Sequence, residues 1–172
     1  MAEFEPKTVY VTYIAATLEK IWQALTSPDF TAKYFFGRTV EIEPKIGGTF
    51  VLRMPDGRVD VQGSVLKWDP PRQLAVTWRV MWHEDMRELP VCLVTYQLEE
   101  AGESVRLTLT ESFSWDVPEA MLAGGRSGWP AILSSLKSLL ETGKPLVIKM
   151  EPPKQMAEVL QQVVARKPWL DR

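Results

Sequence analysis

The chain holds one cysteine and one histidine in 172 residues, Cys92 and His83. A single thiol excludes any internal disulfide, and the two together exclude zinc sites of clustered cysteines and any two-histidine mechanism. Long apolar runs are absent too, since none nears the roughly 18 residues of a membrane span. Neither charge is in excess: 20 Lys and Arg face 22 Asp and Glu, a net charge of -2. The basic residues are scattered rather than striped, so there is no electrostatic footprint for nucleic acid. Met1 to Pro6 carry acids and no apolar segment. The expectation is a chain without a signal peptide, held in a reducing, cytoplasmic compartment. No internal repeat or low-complexity tract is present.

What the chain does have is length enough for one sizeable core and seven tryptophans. A domain of this size buries roughly 70% of its unfolded surface and needs no covalent staples. Lys7 to Ile14 is β-rich, with Val9, Val11 and Tyr13 on one phase and Tyr10, Thr12 and Ile14 on the other. Thr17 offers an N-cap, after which Leu18, Ile21, Trp22 and Leu25 recur at helical spacing. Ser27-Pro28 opens a second short helix toward Tyr34. Six strands follow with turn residues between them: Arg38–Glu43, Thr49–Met54, Arg58–Trp68, Gln73–Trp82, Val91–Glu99 and Ser104–Phe113. Short connections imply an antiparallel meander. One-sided alternation turns Phe50, Leu52 and Met54 inward, then Leu74, Val76, Trp78, Val80 and Trp82. Cys92, Val94, Tyr96 and Leu98 follow in the same phase, as do Val105, Leu107, Leu109, Glu111 and Phe113.

After Pro118 a short helical piece is expected to end at Gly124-Gly125, which lets the chain bend into the main helix. That helix spans about Ser127 to Glu141, with Trp129, Ile132, Leu133, Leu136, Leu139 and Leu140 as a wide apolar stripe ended by Gly143 and Pro145. Leu146–Met150 reads as a strand-like link. Pro152-Pro153 then opens an amphipathic helix carrying Met156, Val159, Leu160, Val163 and Val164. The expected class is α+β with a helix-grip fold: a curved antiparallel sheet of six to seven strands around a long C-terminal helix, with two short helices after the first strand. Residues 1–145 form that domain, and 146–172 are a C-terminal extension.

Several strings in this order resemble one family. They are Ile21-Trp22-Gln23-Ala24-Leu25-Thr26, Ile46-Gly47-Gly48-Thr49-Phe50, Gly63-Ser64-Val65-Leu66 with Asp69-Pro70-Pro71, and Leu74 to Trp78. Val94 to Glu99, Arg106 to Thr110 and Gly128-Trp129 to Gly143 complete the series. The chain resembles the family of the activator of the heat-shock protein 90 ATPase, within the START-like superfamily. The resemblance implies a helix-grip fold, a deep hydrophobic cavity in many relatives, no obligatory cofactor and no shared catalytic set. It also implies chaperone contact as a rival role, although the founders' extra N-terminal domain has no counterpart in this sequence. The stretch from Leu146 to Arg172 departs from the family's usual ending.

The candidate chemistry is sparse. In phase with Leu107, Leu109 and Phe113, Glu111 is a carboxylate turned inward, where burial raises a pKa toward general acid or base use. A solvated strand end or a bulge that flips the phase would expose it instead, and is the simpler expectation. Tyr96, on the neighbouring strand, could orient a ligand beside Glu111, or be a core tyrosine. Cys92 reads as a buried inert thiol and His83 as part of a solvated charged loop, His83 to Leu89. Gly124-Gly125-Arg126 lacks the strand context of a phosphate loop. The expected ligand wall is Phe50, Leu52, Met54, Trp78, Val80, Tyr96, Leu109, Glu111, Trp129 and Leu133, with no metal. The leading expectation is a non-enzymatic binder of a small hydrophobic or amphipathic molecule. Its rivals are a cyclase- or hydrolase-like enzyme using Glu111 and Tyr96, and a protein-interaction module, either a co-chaperone that meets a chaperone or a homodimer built through the C-terminal amphipathic helix.

Overall fold

Alternation in the first strand sets the geometry of everything that follows. In the computed structural model, which describes residues 3–151 and 153–171, β1 (Glu5–Ile14) buries Ile14 and leaves Val9, Val11 and Tyr13 more than half exposed. The Thr17 hydroxyl accepts a hydrogen bond from the Lys20 N–H at 3.1 Å and caps α1 (Leu18–Thr26), which buries Leu18, Ile21 and Leu25. Such a cap contributes about 1 kcal/mol. With Pro28 in its first turn, α2 (Pro28–Tyr34) follows at once, and the Tyr34 hydroxyl donates to the Ala24 carbonyl at 2.9 Å, locking the bent pair.

The two helices carry the chain from one edge of the sheet to the other. There β2 (Thr39–Ile42), β3 (Thr49–Arg53), β4 (Val59–Asp69), β5 (Gln73–Val80), β6 (Cys92–Ala101) and β7 (Ser104–Phe113) pair in sequence. The last strand returns to lie beside the first, giving the order β1-β7-β6-β5-β4-β3-β2, antiparallel throughout. The inner face carries Phe50, Leu52, Leu74, Val76, Val94, Tyr96, Leu98, Val105, Leu107 and Leu109, all buried. Against it lies α4 (Glu119–Thr142), which buries Trp129, Ile132, Leu133, Leu136 and Leu139. Gly143 ends it in the left-handed conformation, φ 80°, with its N–H on the Leu139 carbonyl, as a helix-terminating glycine does. The long helix gripped by a curved sheet is therefore as expected.

Four local expectations are corrected. α4 does not break at Gly124-Gly125 but is one helix of 24 residues that runs through both glycines and Pro130. Glycine costs a helix roughly 1 kcal/mol, and here neighbouring side chains stand where a Cβ at either position would go. A Cβ on Gly124 would stand 3.0 Å from the Met156 methyl, and one on Gly125 would meet Glu111. The charged stretch His83–Leu89 is not wholly loop, because Glu84–Glu88 forms α3. Leu146–Met150 is no strand. It is tethered by Ser135, whose hydroxyl accepts from the Leu146 N–H at 3.2 Å, and Val147 is fully exposed. Met54 and Trp82 leave the inner face because β3 ends at Arg53 and β5 at Val80. Met54 lies half-buried in the following turn and Trp82 is 54% exposed.

The last helix, α5 (Met156–Arg166), packs its stripe inside the same chain. Val163 joins Trp115, Val117 and Leu122 in a second cluster, with Leu89, Phe113, Met121, Val159 and Trp169 around it. Trp115 and Trp169 meet edge to face at 5.4 Å. Pro152, expected to open this helix, lies outside the described residues. No helix among the described residues is long and apolar enough to cross a membrane.

Candidate functional site

Between the ends of β5, β6 and β7, the first half of α4, and α3 with the start of α5, the interior does not close. A hollow of about 290 Å³ remains, close to the lower bound of roughly 300 Å³ for small-molecule pockets. Phe35, Trp78 and Trp129 form an aromatic corner on one side. Trp78 and Trp129 centroids are 5.3 Å apart, and Phe35 meets Trp129 edge to face at 5.9 Å. Val80, Phe113, Trp115, Val117 and Ile132 extend the apolar wall, Met121 adds to it from the first turn of α4, and Met86, Leu89 and Met156 close it from the two outer helices, α3 and α5. Methionines on that side can repack around different shapes.

Glu111 is the one acidic residue in the lining. It is only 9% exposed, so the strand-end and bulge readings do not hold: β7 stays in register with β6 through Val94↔Glu111. Its Oε1 accepts a hydrogen bond from the Thr8 hydroxyl at 2.8 Å. Burial raises its pKa from the ordinary carboxylate value, while Thr8, the Trp129 indole, the Tyr10 hydroxyl and the Arg126 charge oppose that rise. The Tyr10 hydroxyl is itself buried beside Thr8 and Glu111 without a hydrogen bond of good geometry. A Cβ at Gly125 would collide with Oε1 and stand 3.1 Å from the carboxyl carbon, so the bare helix face at 125 makes room for the acid.

Two predictions arise here. Gly125→Ala, normally stabilising in a helix, is expected to cost about 1–2 kcal/mol by displacing the Glu111 carboxylate. In an Glu111→Ala background the same change should become neutral or stabilising. Denaturant melts of the four proteins give the coupling, and a coupling of zero would mean that the acid moves aside freely. For Glu111→Gln, the sign follows from linkage. A carboxyl whose pKa is raised by folding adds stability at acid pH and loses it as pH rises through the folded value. The glutamine variant should therefore melt about 2–4 °C higher than the parent at pH 7, as ~1 kcal/mol does in a domain this size. The advantage should shrink near pH 4, and a pH-independent difference in melting temperature would contradict the assignment.

The structure divides the expected wall. Trp78, Val80, Glu111 and Trp129 line the hollow. Leu109 and Leu133 lie in the packed core, while Phe50, Leu52 and Tyr96 border a separate void of only about 10 Å³; Met54 borders neither space. Tyr96 pairs with Leu109 rather than Glu111, and burial, reinforced by the Glu111 charge, raises its hydroxyl pKa. The residues gathered at Glu111 are instead Thr8 and Tyr10. Sequence pattern does not gather them, because no local signal in β1 says that it will pair with the last strand. Cys92 lines the hollow with its thiol pushed up to about 12 by burial, and so stays protonated and inert. His83 does not line it. Among the described residues no group of three or more His, Cys, Asp or Glu could hold a metal ion.

The model of the family described as Activator of Hsp90 ATPase homolog 1-like protein matches residues 15–141. The chain belongs to that family. The matched span takes in the sheet from β2 onward and α4, but neither β1, which supplies Thr8 and Tyr10, nor α5. Among solved structures, the Aha1 dimer from Colwellia psychrerythraea is 25% identical with a TM-score of 0.62, covering 79% of this chain and 96% of that one. Protein MLL2253 from Mesorhizobium loti shares the fold at 24% identity and TM-score 0.64, over 78% of this chain and 97% of its own. CalU16 from Micromonospora echinospora is 20% identical with TM-score 0.63. That alignment spans 95% of this chain and 92% of the other, so it reaches well past the family match. No curated protein matches the sequence. Family members share the fold, and membership by itself does not assign a ligand.

Proposed function

We propose that this protein binds a small, mainly apolar molecule in the hollow between sheet and α4. One observation supports the reading above others: the unfilled space of about 290 Å³ has an apolar and aromatic wall with a single buried acid. Apolar concavity with few polar groups is what small-molecule sites have in common. The cyclase- or hydrolase-like alternative would need Tyr96 beside Glu111 in the same space, and Tyr96 borders the separate small void. Native mass spectrometry of the protein purified from its own host tests the proposal. The expected result is a mass increment that disappears on denaturation. A protein that arrives empty, and whose Trp78 and Trp129 fluorescence is indifferent to a panel of apolar compounds, would overturn it.

A second reading, self-association or contact with an Hsp90-type chaperone, is favoured by the row Val9, Val11 and Tyr13 on the edge strand β1. These residues are 57%, 53% and 51% exposed, and a relative in the same family forms a dimer. Light scattering on the parent and on a Val9→Ser, Val11→Ser variant distinguishes it. A larger assembly lost in the variant supports the reading, and a parent monomer at all concentrations removes self-association.

A further inference from the structure

We infer that the hollow selects a cationic amphiphile, a small molecule with an ammonium head held by Glu111 and the Trp78–Trp129–Phe35 corner and an apolar tail toward the methionines of the outer helices. This rests on the binding reading above and specifies its ligand class. The head site combines two features that each favour a cation. Aromatic faces attract one electrostatically, and most strongly where water is excluded. The Trp78, Trp129 and Phe35 rings lie within 5.3–6.3 Å of one another and share the lining with Glu111, which the Trp129 indole approaches.

The second feature is an acid whose charge nothing in the interior balances. Glu111 has hydrogen-bond donors around it, but among the described residues no buried cation pairs with it. Arg126, the nearest positive charge from α4, is exposed and tied to Glu119. From β1 the titratable neighbour is Tyr10, and from β6 they are Cys92 and Tyr96, all with raised pKa values and so neutral near pH 7. Arg79 of β5 lines the hollow at an exposed position. A buried carboxylate left without a counter-charge is costly, and a bound ammonium supplies one. Binding then shifts Glu111 toward its ionised form. Any proton the carboxyl carries leaves to solvent as the ion pair forms.

The test uses three probes of one chain length at concentrations well below micelle formation: octyltrimethylammonium, 1-octanol and octanoate. A quaternary head has a fixed charge, so any proton change belongs to the protein. Read by tryptophan fluorescence at pH 7, the ammonium is expected to bind about tenfold or more tightly than the alcohol, and octanoate most weakly. Glu111→Gln should remove that preference while octanol binding stays. In the unaltered protein, ammonium affinity should fall at least tenfold between pH 7 and pH 4, with octanol affinity constant, which tests the idea even if the variant folds poorly. Equal binding of all three, a preference that survives Glu111→Gln, or a pH-independent ammonium affinity overturns the inference and leaves the hollow a site for neutral apolar molecules. Failure of all three probes to bind overturns the binding reading beneath it.

Discussion

Gly63→Ala is expected to lower the melting temperature by about 6–12 °C, corresponding to ~3 kcal/mol in a domain of this size. Adding one methyl group to a strand is usually mild. At this position the added Cβ would overlap the Thr77 carbonyl oxygen and come within 2.6 Å of its carbon, so it meets backbone rather than a movable side chain. The two backbones approach closely there, between the Gln62↔Arg79 and Val65↔Val76 pairs of the β4–β5 ladder. Ser64 donates its N–H to the Thr77 hydroxyl at 2.8 Å instead of to a backbone carbonyl. To admit the methyl, β4 and β5 must separate, and Trp78, the next residue, moves with them. Gly63→Ala should therefore also change tryptophan emission and weaken binding of any ligand in the hollow. A variant that melts within about 2 °C of the parent would show that the strands part cheaply.

Trp129→Ala is expected to cost about 3–5 kcal/mol, the range for deleting a large buried aromatic. Trp129 is 5% exposed and sits where three parts of the fold meet: Phe35 after α2, Trp78 on β5 and Tyr96 on β6, each within 6.4 Å of its ring. Edge-to-face pairs add to simple burial, and losing all of them at once leaves no neighbour placed to fill the space. Trp129→Phe separates packing from chemistry. It keeps most of the apolar surface but removes the indole N–H that favours ionised Glu111. Its stability loss should be under half that of the alanine variant, while the pH at which Glu111 titrates, followed by carboxyl NMR, should rise. An unchanged titration would mean that the indole contributes nothing to the acid.

Glu111 and Gly125 together indicate a site maintained at a cost in stability. A buried, incompletely compensated carboxylate and a glycine in the middle of the principal helix both disfavour the folded state, and each is explained by the other. Stability surrendered locally in this way is typical of binding sites. A ligand that neutralises the acid would return part of it, raising the melting temperature as binding to the native state does.

The sequence alone determined the order of the seven strands and of the two short helices after the first, the antiparallel meander, the inward phase of nearly every strand and the apolar stripe of the long helix. These rest on periodicity and turn chemistry, which are local: Ile14, Val76, Val94 and Leu107 are buried because each stands two residues from its fellows on a face. Local pattern also placed Glu111 on the inner face, although it could not say whether water reached the strand end. Only the tertiary structure decided that question, because the answer came from partners far away in the chain. Thr8 reaches Glu111 across 103 positions, and Gly125 makes space for it from another element. The same holds for the hollow. Phe50, Leu52 and Leu109 have the same inward phase as Trp78 and Glu111, yet the first three are packed or border a void of about 10 Å³, while the last two border the open space. Phase says which side of a sheet a residue faces; whether the facing helix fills the gap depends on side-chain volumes summed over both layers, and no single segment contains that sum.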